Sequence, residues 1–354
     1  MTERLDIDRF LERGRTWPIL DVRTPAEFAQ GHIPGAHNLP LFSDEERAGI
    51  GTVYKHEGRH AAMLDGLDVV GPKMRRLLEE AERILEAHSA DQKPSGFLLH
   101  CWRGGMRSGS VAWLLGFFGH EVATLEGGYK VFRQHVLSAF AASRNVALLS
   151  GPTGSGKTDV LHALREQGEQ TLDLEGLAHH KGSVFGGLGE PPQHSQEQFE
   201  NNLATAWLVL DPERRVWIED ESRRIGYRLV SREIMDQMAS APVVCLDVPT
   251  DVRVARLVET YGRFSTDQLA NATEIIRKRL GGLRAQQITE AIRQGDLVAA
   301  CTLLLSYYDR TYAHAATRRT PATTATLATD LSDVQAVAEE AVRLVQEAES
   351  VPTL

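Results

Sequence analysis

A single cysteine stands between an apolar run and a loop that is nearly all glycine and arginine. Cys101 lies in the stretch LLHCWRGGMRSGS, in which Arg103, Gly104, Gly105 and Arg107 follow it closely. Backbone N–H groups of such a loop can converge on one point, and the N-terminus of a following helix adds partial positive charge. These groups and the two arginines favour a thiolate over a thiol. We therefore predict a nucleophilic Cys101 with a lowered pKa, held in an anion cradle.

The alternative for Cys101 is an ordinary buried thiol at the end of a strand, since cysteine is among the most buried residue types. The flanking glycines and arginines favour the nucleophile. Cys245 and Cys301 lie in the apolar segments PVVCLDVP and LVAACTLLLSYY, and we predict that both are core residues. Three cysteines predict no disulfide framework and indicate a reducing compartment.

A second candidate site is the octet GPTGSGKT, which begins at Gly151 and fits the phosphate-binding pattern G-x-x-x-x-G-K-[ST]. Its glycines let the backbone approach phosphate oxygens, Lys157 supplies a point charge, and the Thr158 hydroxyl could coordinate a metal ion. The run NVALLS before it predicts a strand, and residues 159–167 after it predict a helix, which is the required context. The predicted phosphate-binding residues are Gly151, Thr153, Gly154, Ser155, Gly156, Lys157 and Thr158.

Charged side chains elsewhere could complete this site. Asp173 in LDLEG and Asp220 in VWIEDES each follow a predicted strand and are candidate acids or Mg²⁺-linked residues. The alternative for each is a carboxylate that caps a turn or lies on the surface. No metal ligand set is assigned, because His179 and His180 have no recognisable further ligands. Arginines that could contact a phosphate group, or form solvated faces or ion pairs instead, are Arg223, Arg224, Arg253, Arg256 and Arg279.

Short apolar segments that alternate with helical patterns position both motifs and predict an α/β protein. Residues 1–138 are predicted to form a first domain and residues 139–354 a second, whose last third has a helical pattern. The first domain contains an amphipathic helix in KMRRLLEEAERILEAH and a helix after the cysteine that Ser108 could cap. A loop is predicted over residues 182–196. The predicted strands are WPILDVRTP, SGFLLHC, EVATLEGG, NVALLS, QTLDLEG, VWIEDE and PVVCLDVP.

The composition sets limits on function. The chain has 354 residues, of which 42% are hydrophobic and 25% are charged, as in ordinary soluble globular proteins. Its formal net charge is −9, so contact with nucleic acid requires local basic patches. The apolar run VAWLLGFFG is too short to span a bilayer, and the N-terminus MTERLDIDRFLERG lacks the apolar core of a signal peptide. We therefore predict a cytoplasmic protein with no membrane partner.

The segments ILDVRTPAEFAQGHIPGAHNLP and HCWRGGMRS together resemble a rhodanese domain, with Cys101 to Arg107 at its active-site loop. Asp21 and Arg23 belong to the same signature, and we expect them to form a structural turn network. A rhodanese-like domain fused to a phosphate loop resembles the tRNA 2-selenouridine synthase family. Further segments similar to that family are GTVYKHEGRHAAMLDG, DLEGLAHHKGSVFGG, PPQHSQEQFENNL, WIEDESRRIG, LDVPTDVRVARLVETYG and KRLGGLRAQQ.

The resemblance implies an N-terminal rhodanese-like parallel-sheet domain and a C-terminal P-loop NTPase-like α/β domain with a helical C-terminal part. It also implies a two-step transferase reaction on the wobble 2-thiouridine of certain tRNAs. Geranyl diphosphate first alkylates the sulfur, and selenophosphate then supplies selenium while the geranylthiol leaves. The implied co-substrates are geranyl diphosphate and selenophosphate, without flavin, haem or PLP. The implied partners are tRNA and an enzyme that supplies selenophosphate.

Two assignments combine this resemblance with the motifs. The phosphate loop would hold the diphosphate of geranyl diphosphate, with Lys157 stabilising the leaving pyrophosphate, and Cys101 would act in the selenium step as nucleophile or carrier. Basic residues in RRIGYRLVSR and IRKRLGGLR, Arg279 among them, would contact tRNA. The alternatives are a rhodanese-type sulfurtransferase with a nucleotide-binding regulatory domain, a P-loop small-molecule kinase, and a tRNA-binding protein without catalysis.

Overall fold

The computed structural model of the protein describes residues 2–88, 96–316 and 324–350. Two five-stranded parallel sheets organise these residues, together with one short antiparallel strand pair. The α/β fold class predicted from the sequence is confirmed. Within the described ranges, no helix combines the length and the apolar character needed to cross a membrane.

The chain folds as two compact units. The first comprises Met1–Ala139 with Glu200–Thr205, and the second comprises Phe140–Phe199 with Ala206–Leu354. The segment Glu200–Thr205 lies within the predicted second domain but is part of the first unit. The first unit is therefore built from two separate pieces of the chain.

The first unit contains the strands β1 (Glu3–Leu5), β2 (Ile19–Asp21), β3 (His37–Asn38), β4 (Gly96–His100) and β5 (Glu121–Leu125). They pair in the order β1-β5-β4-β2-β3, and every pair is parallel. All five residues of β4 are buried, because a central parallel strand is covered on both faces. The carboxyl ends of β2 and β4 meet at one edge of the sheet, where Asp21 is in register with His100.

The helices of the first unit are α1 (Ile7–Arg13), α2 (Pro25–Gln30), α3 (Asp44–His56), α4 (Arg59–Val70), α5 (Met74–Ala87), α6 (Met106–Phe117) and α7 (Tyr129–Ala139), with a 3₁₀ turn at Gly71–Lys73. The amphipathic pattern of α5 is confirmed, since Leu77 and Leu78 are buried. Helix α6 begins at Met106 with Gly105 as its N-cap, so the predicted cap at Ser108 is wrong. Ser108 lies inside the first turn, and its hydroxyl bonds to the cysteine sulfur instead.

The second unit contains the strands β6 (Asn145–Ser150), β7 (Gln170–Leu172), β8 (Arg215–Glu219), β9 (Arg224–Ile225), β10 (Arg228–Leu229), β11 (Val243–Asp247) and β12 (Ala325–Ala328). Five of them form a parallel sheet in the order β12-β11-β6-β8-β7, while β9 and β10 pair antiparallel. Strand β6 is central in this sheet. Ligands of open α/β sheets bind beyond the carboxyl ends of such strands, which is where the phosphate loop lies.

The helices numbered from residue 140 onward are α8 (Lys157–Glu166), α9 (Leu174–Ala178), α10 (Gln196–Leu208), α11 (Arg232–Ser240), α12 (Thr250–Tyr261), α13 (Thr266–Ile275), α14 (Arg277–Leu280), α15 (Gly282–Arg293), α16 (Leu297–Ala316) and α17 (Val334–Ser350). The predicted helical C-terminal part is confirmed: α13 to α16 pack around Leu269, Ile288 and Leu304. Helix α17 returns to the sheet, where Ala341 and Val345 are fully buried.

Candidate functional site

Cys101 directly follows β4, the central strand of its sheet. The residue is only 4% exposed, and its sulfur accepts hydrogen bonds from the loop that follows it. The backbone N–H of Gly105 and the hydroxyl of Ser108 each lie 3.3 Å from Sγ. Since Gly105 is the N-cap of α6, the sulfur also lies at the positive end of that helix.

These contacts change the acidity of the thiol. Burial alone would raise the pKa of Cys101, because a low-dielectric surrounding disfavours the thiolate. Hydrogen bonds from the Ser108 hydroxyl and from the backbone N–H groups of Ser108, Gly105 and Arg103 outweigh burial and leave the pKa below its ordinary value. The thiolate, which is the nucleophilic form, is therefore populated at lower pH than in an ordinary cysteine.

The other two cysteines differ from Cys101 in surroundings. Cys301 is buried, as predicted, and burial raises the pKa of its thiol to about 11. Cys245 is only half-buried, so its predicted place in the core is wrong. Its Sγ lies 3.4 Å from the hydroxyl of Tyr312 rather than in a closed apolar cluster. The surroundings therefore lower the pKa of the Cys101 thiol and raise that of the Cys301 thiol.

Two glycines allow the cysteine loop to close against the chain after β5. Gly104 has a φ of +63°, and a Cβ there would lie 2.6 Å from the carbonyl oxygen of Leu125. A Cβ on Gly128 would collide with the carbonyl oxygen of Cys101. Gly104 therefore allows the turn, whereas the N–H groups that donate to the sulfur belong to Arg103, Gly105 and Ser108.

The two arginines of the loop have different environments. Arg107 forms a two-point ion pair with Glu27, with N–O distances of 2.6 and 3.1 Å, and Glu27 also completes the capping box of α2. Although burial opposes it, the Glu27 hydrogen bond and the charges of Glu27 and Cys101 raise the pKa of Arg107. Arg107 therefore shares its charge between Glu27 and the sulfur. Arg103 is exposed and acts on the sulfur through its backbone N–H.

Asp21 and Arg23 form the structural network expected of them. The Nε and Nη2 atoms of Arg23 donate to the Asp21 carboxylate at 2.5 to 3.0 Å, and Nη2 also donates to the carbonyl of Gly31. The guanidinium lies 3.7 Å from the ring centroid of Tyr129. Both charged residues are at most 1% exposed, so this pair supports the loop and has no access to a ligand.

The phosphate loop lies between β6 and α8, as its sequence predicts. Gly151, Gly154 and Gly156 have φ values of +150°, +81° and +73°, which other residues rarely adopt. The Nζ of Lys157 donates to the carbonyl of Gly151 at 3.2 Å, so the lysine folds back over the loop. The Ser155 hydroxyl is buried without a hydrogen-bond partner, and such an atom is readily explained by an absent polar ligand.

Three carboxylates gather near this loop. One oxygen each of Glu175, Glu219 and Glu221 lies within 4.8 Å of the others, and Glu219 is 1% exposed. Burial raises the pKa of Glu175 to about 9, assisted by the charges of Glu219 and Glu221. Burial also raises the pKa of Glu219 to about 7, although Lys157 and the Thr158 hydroxyl act in the opposite direction. The Oε1 atom of Glu219 has no hydrogen-bond partner. This cluster is suited to bind a cation.

The two carboxylates chosen from the sequence lie outside this cluster. Asp173 is the N-cap of α9 and accepts a hydrogen bond from the N–H of Gly176 at 2.7 Å. It is thus a helix-capping carboxylate, which was the alternative to a role as acid or metal-linked residue. Asp220 accepts a hydrogen bond from the Ser150 hydroxyl at 2.6 Å. Side chains alternate along an extended chain, so Glu219 and Glu221 share one side while Asp220 faces the other.

Arg253 is not available to a ligand, so its predicted role as a phosphate or tRNA contact is wrong. It is 4% exposed and forms a two-point ion pair with Asp309, with both N–O distances at 2.8 Å. Its Nη1 also donates to the carbonyl of Thr153 at 3.2 Å. Through this hydrogen bond, Arg253 stabilises the conformation of the phosphate loop.

The other candidate arginines are dispersed over the second unit. Arg223 and Arg224 donate to backbone carbonyls around the β9–β10 hairpin. Arg256 is paired with Asp159 on α8. Arg279 is exposed and lines a cavity of about 780 Å³ with Arg284 and Arg310.

Sequence reasoning missed two features of these sites. The contact of Ser108 with the sulfur is one, because the register of α6 relative to Cys101 is not visible in the sequence. The cluster uses Glu219 and Glu221 rather than the predicted Asp220, and the signal for it is two carboxylates at a spacing of two on an extended segment.

Comparison with known proteins matches both units of the chain to known domains. Residues 6–135 match the model of the rhodanese-like domain, and residues 144–344 match that of the tRNA 2-selenouridine synthase AAA domain. A tRNA 2-selenouridine synthase of Shewanella loihica is 37% identical over 83% of this chain and 86% of its own. Proteins of that name from Bdellovibrio bacteriovorus and Proteus mirabilis are 35% and 37% identical, over 85% and 83% of this chain and 89% and 88% of theirs. The chain belongs to the tRNA 2-selenouridine synthase family.

Proposed function

We propose that this protein converts the wobble 2-thiouridine of tRNA into 2-selenouridine through an S-geranyl intermediate. The observation that carries the proposal is the presence, in one chain of this family, of a thiolate-stabilising loop and of a phosphate loop with a carboxylate cluster. The name shared by the relatives supports tRNA as the substrate and selenium as the atom transferred.

In the first step, the sulfur of 2-thiouridine attacks C1 of geranyl diphosphate. A C–S bond forms, the C–O bond breaks and pyrophosphate is released, while N3 of the base loses its proton to solvent. We assign the diphosphate to the phosphate loop, where backbone N–H groups at the start of α8 can bind its oxygens. Lys157 already lies against this loop and would stabilise the charge on the leaving pyrophosphate.

The residues beside the loop fit a divalent cation such as Mg²⁺, which prefers oxygen ligands. The unpartnered Oε1 of the buried Glu219 supports this assignment, because an orphaned carboxylate oxygen in the interior is costly. Glu219 and the hydroxyl of Thr158 would hold the ion, with Glu175 and Glu221 close by. When bound, the ion would neutralise part of the charge on the diphosphate.

In the second step, the Cys101 thiolate attacks C2 of the base, the bond from C2 to the alkylated sulfur breaks, and geranylthiol leaves after taking up a proton. The selenium of selenophosphate then attacks C2, and the Cys101 thiolate departs. Water then cleaves the Se–P bond and releases phosphate. The alkylated sulfur is a good leaving group because it departs as a thiolate. We assign Cys101 to this step as the nucleophile that is bonded to C2 and then displaced, since the donors from Gly105 and Ser108 stabilise an anion at its sulfur.

The tRNA requires a basic surface on a chain whose net charge is −9. The cavity of about 780 Å³ provides one, because Arg279, Arg284 and Arg310 line it together with Tyr307. Guanidinium groups bind phosphate oxygens at two points, and an aromatic ring can stack on an unpaired base. We therefore place part of the tRNA backbone here.

Nucleoside mass spectrometry of 2-thiouridine tRNA incubated with the protein, geranyl diphosphate and selenophosphate tests the proposal. The expected products are S-geranyl-2-thiouridine and then 2-selenouridine, and an unchanged nucleoside profile would refute it. Lys157→Ala should block geranylation but still allow selenation of tRNA that is already geranylated. Cys101→Ser should show the opposite pattern. If Lys157→Ala retained geranylation and lost selenation, the phosphate loop would have been assigned to the wrong step.

A further inference from the structure

A large cavity opens at the cysteine loop of the first unit. It has a volume of about 1150 Å³, and Cys101, Gly105 and Met106 form part of its wall. Small-molecule sites are commonly 300–1000 Å³ and mostly apolar. A small anionic sulfur or selenium donor would use only a fraction of this space.

Helix α4 presents an apolar stripe to this cavity. On α4, the lining residues Ala62, Met63, Gly66, Leu67 and Val70 recur with the period of a helix. Such a stripe normally packs into a core, but Ala62 is the only buried residue of α4, and Met63 and Leu67 are 44% and 67% exposed.

Helix α6 faces the same space with Met106, Ser110 and Trp113, and Trp113 is 59% exposed. Helix α3 contributes Tyr54, which is 57% exposed, and has no buried residue at all. Hydrocarbon surface on three helices is thus left uncovered around one thiol. Contiguous exposed apolar surface of this kind marks a binding site.

Cationic side chains lie in the same wall. Arg59 and Arg103 both line the cavity. Arg59 approaches the sulfur of Met106, and within the described ranges neither arginine has a carboxylate at ion-pair distance. An apolar wall combined with unpaired cations suits a ligand that joins a hydrocarbon chain to an anionic group, such as an alkylated nucleotide of an RNA.

The apolar pocket beside the phosphate loop offers no comparable space. It is lined by Thr153, Leu257 and Tyr261 among others, and its volume is about 40 Å³. That volume admits a few water molecules rather than a ten-carbon chain.

We propose that the cavity formed by α3, α4 and α6 beside Cys101 binds the isoprenoid chain carried by the sulfur of the alkylated base. This inference rests on the proposed function, which supplies such a chain. It deepens that function by assigning the two steps to separate sites. The phosphate loop binds the diphosphate during alkylation, and the rhodanese-like unit then binds the hydrocarbon chain of the alkylated base. The chain seated among Met63, Leu67 and Trp113 directs the carbon–sulfur bond of the base toward the thiolate.

Binding of two nucleosides to the full-length protein tests this site. S-geranyl-2-thiouridine and S-methyl-2-thiouridine differ only in the group on sulfur, a ten-carbon isoprenoid chain or a methyl group, and calorimetry gives both affinities. The wild type should prefer the geranyl nucleoside by at least about 100-fold, because each buried methylene adds affinity. Leu67→Asp and, separately, Met63→Asp should remove most of that preference. Leu137→Asp is the matched control, since Leu137 is 55% exposed on α7 and does not line the cavity.

Equal affinity of the wild type for the two nucleosides would overturn the inference. So would an undiminished preference in both folded cavity variants. If Leu67→Asp changed the oligomeric state and left the preference intact, the surface would belong to an interface between copies of this chain. Turnover of geranylated tRNA with selenophosphate separates the two proposals. A clear preference without turnover contradicts the proposed function alone, and turnover without a preference contradicts this site alone.

Discussion

The hydroxyl of Ser108 is the strongest single test of how this fold activates Cys101. It donates to Sγ at 3.3 Å, and Ser108 is 1% exposed, so water has little access to replace the bond once it is removed. Ser108→Ala deletes the donor and leaves the helix register and the backbone N–H groups unchanged. We expect the pKa of the Cys101 thiol to rise and its reaction with iodoacetamide to become slower below neutral pH.

The size of the effect follows from the bond. A hydrogen bond to a charged group contributes about 1.5–3 kcal/mol. At 1.4 kcal/mol for each factor of ten, the thiolate fraction at a pH below the wild-type pKa should fall by roughly 10- to 150-fold. A thiolate of higher pKa is also a better nucleophile, with a Brønsted coefficient of about 0.4–0.5, which offsets nearly half of the logarithmic loss. Alkylation should therefore slow by about 4- to 20-fold.

The assay is the rate of iodoacetamide labelling at Cys101, followed by peptide mass spectrometry between pH 5 and pH 10. Because the folded pKa is lowered, the wild-type rate should reach half its maximum at a lower pH than that of the variant. Ser110→Ala is the control, since its hydroxyl donates to the carbonyl of Met106 on the same helix. A folded Ser108→Ala protein with the wild-type rate and midpoint would refute the reasoning.

Three further outcomes are expected. Glu219→Gln should weaken Mg²⁺ binding by more than about tenfold in calorimetry, because carboxylate charge sets affinity, whereas Asp220→Asn should have little effect. Arg253→Ala should lower the free energy of unfolding by about 3 kcal/mol. This is the lower end of the range for a broken buried ion pair, because the Asp309 side chain is 36% exposed. An unchanged midpoint of urea unfolding would contradict this expectation. Arg279→Ala should weaken tRNA binding and reduce the salt dependence of log K by about 0.7–1, measured by filter binding at several salt concentrations.

The two reactive motifs could be located in the sequence because each is a continuous segment whose chemistry depends on local geometry. In the phosphate loop, the glycines and Lys157 act through backbone conformation and a single point charge, and both follow from the order of residues. Cys101 is similar, since the N–H groups that act on its sulfur come from residues 103–108. The parallel sheets were predictable for the same reason, because alternating apolar strands and helices leave few other arrangements.

The carboxylate cluster depends on the direction of side chains rather than on residue type. Glu219 and Asp220 are adjacent acids at the end of the same strand, and the extended backbone turns one toward the phosphate loop and the other toward Ser150. Glu175 joins the cluster from a different segment, and its distance in sequence carries no information about this contact.

From its sequence alone, the protein is an α/β chain with a thiol nucleophile and a phosphate loop, because short segments with strong local preferences specify all three. The packing of segments that are distant in the chain determines which charged side chains form ion pairs and where cavities remain. Arg253 is buried in an ion pair with Asp309, while apolar residues of α4 line an open cavity beside Cys101. Burial and cavity volume are properties of the assembled fold, since they depend on which surfaces meet after the chain has closed on itself.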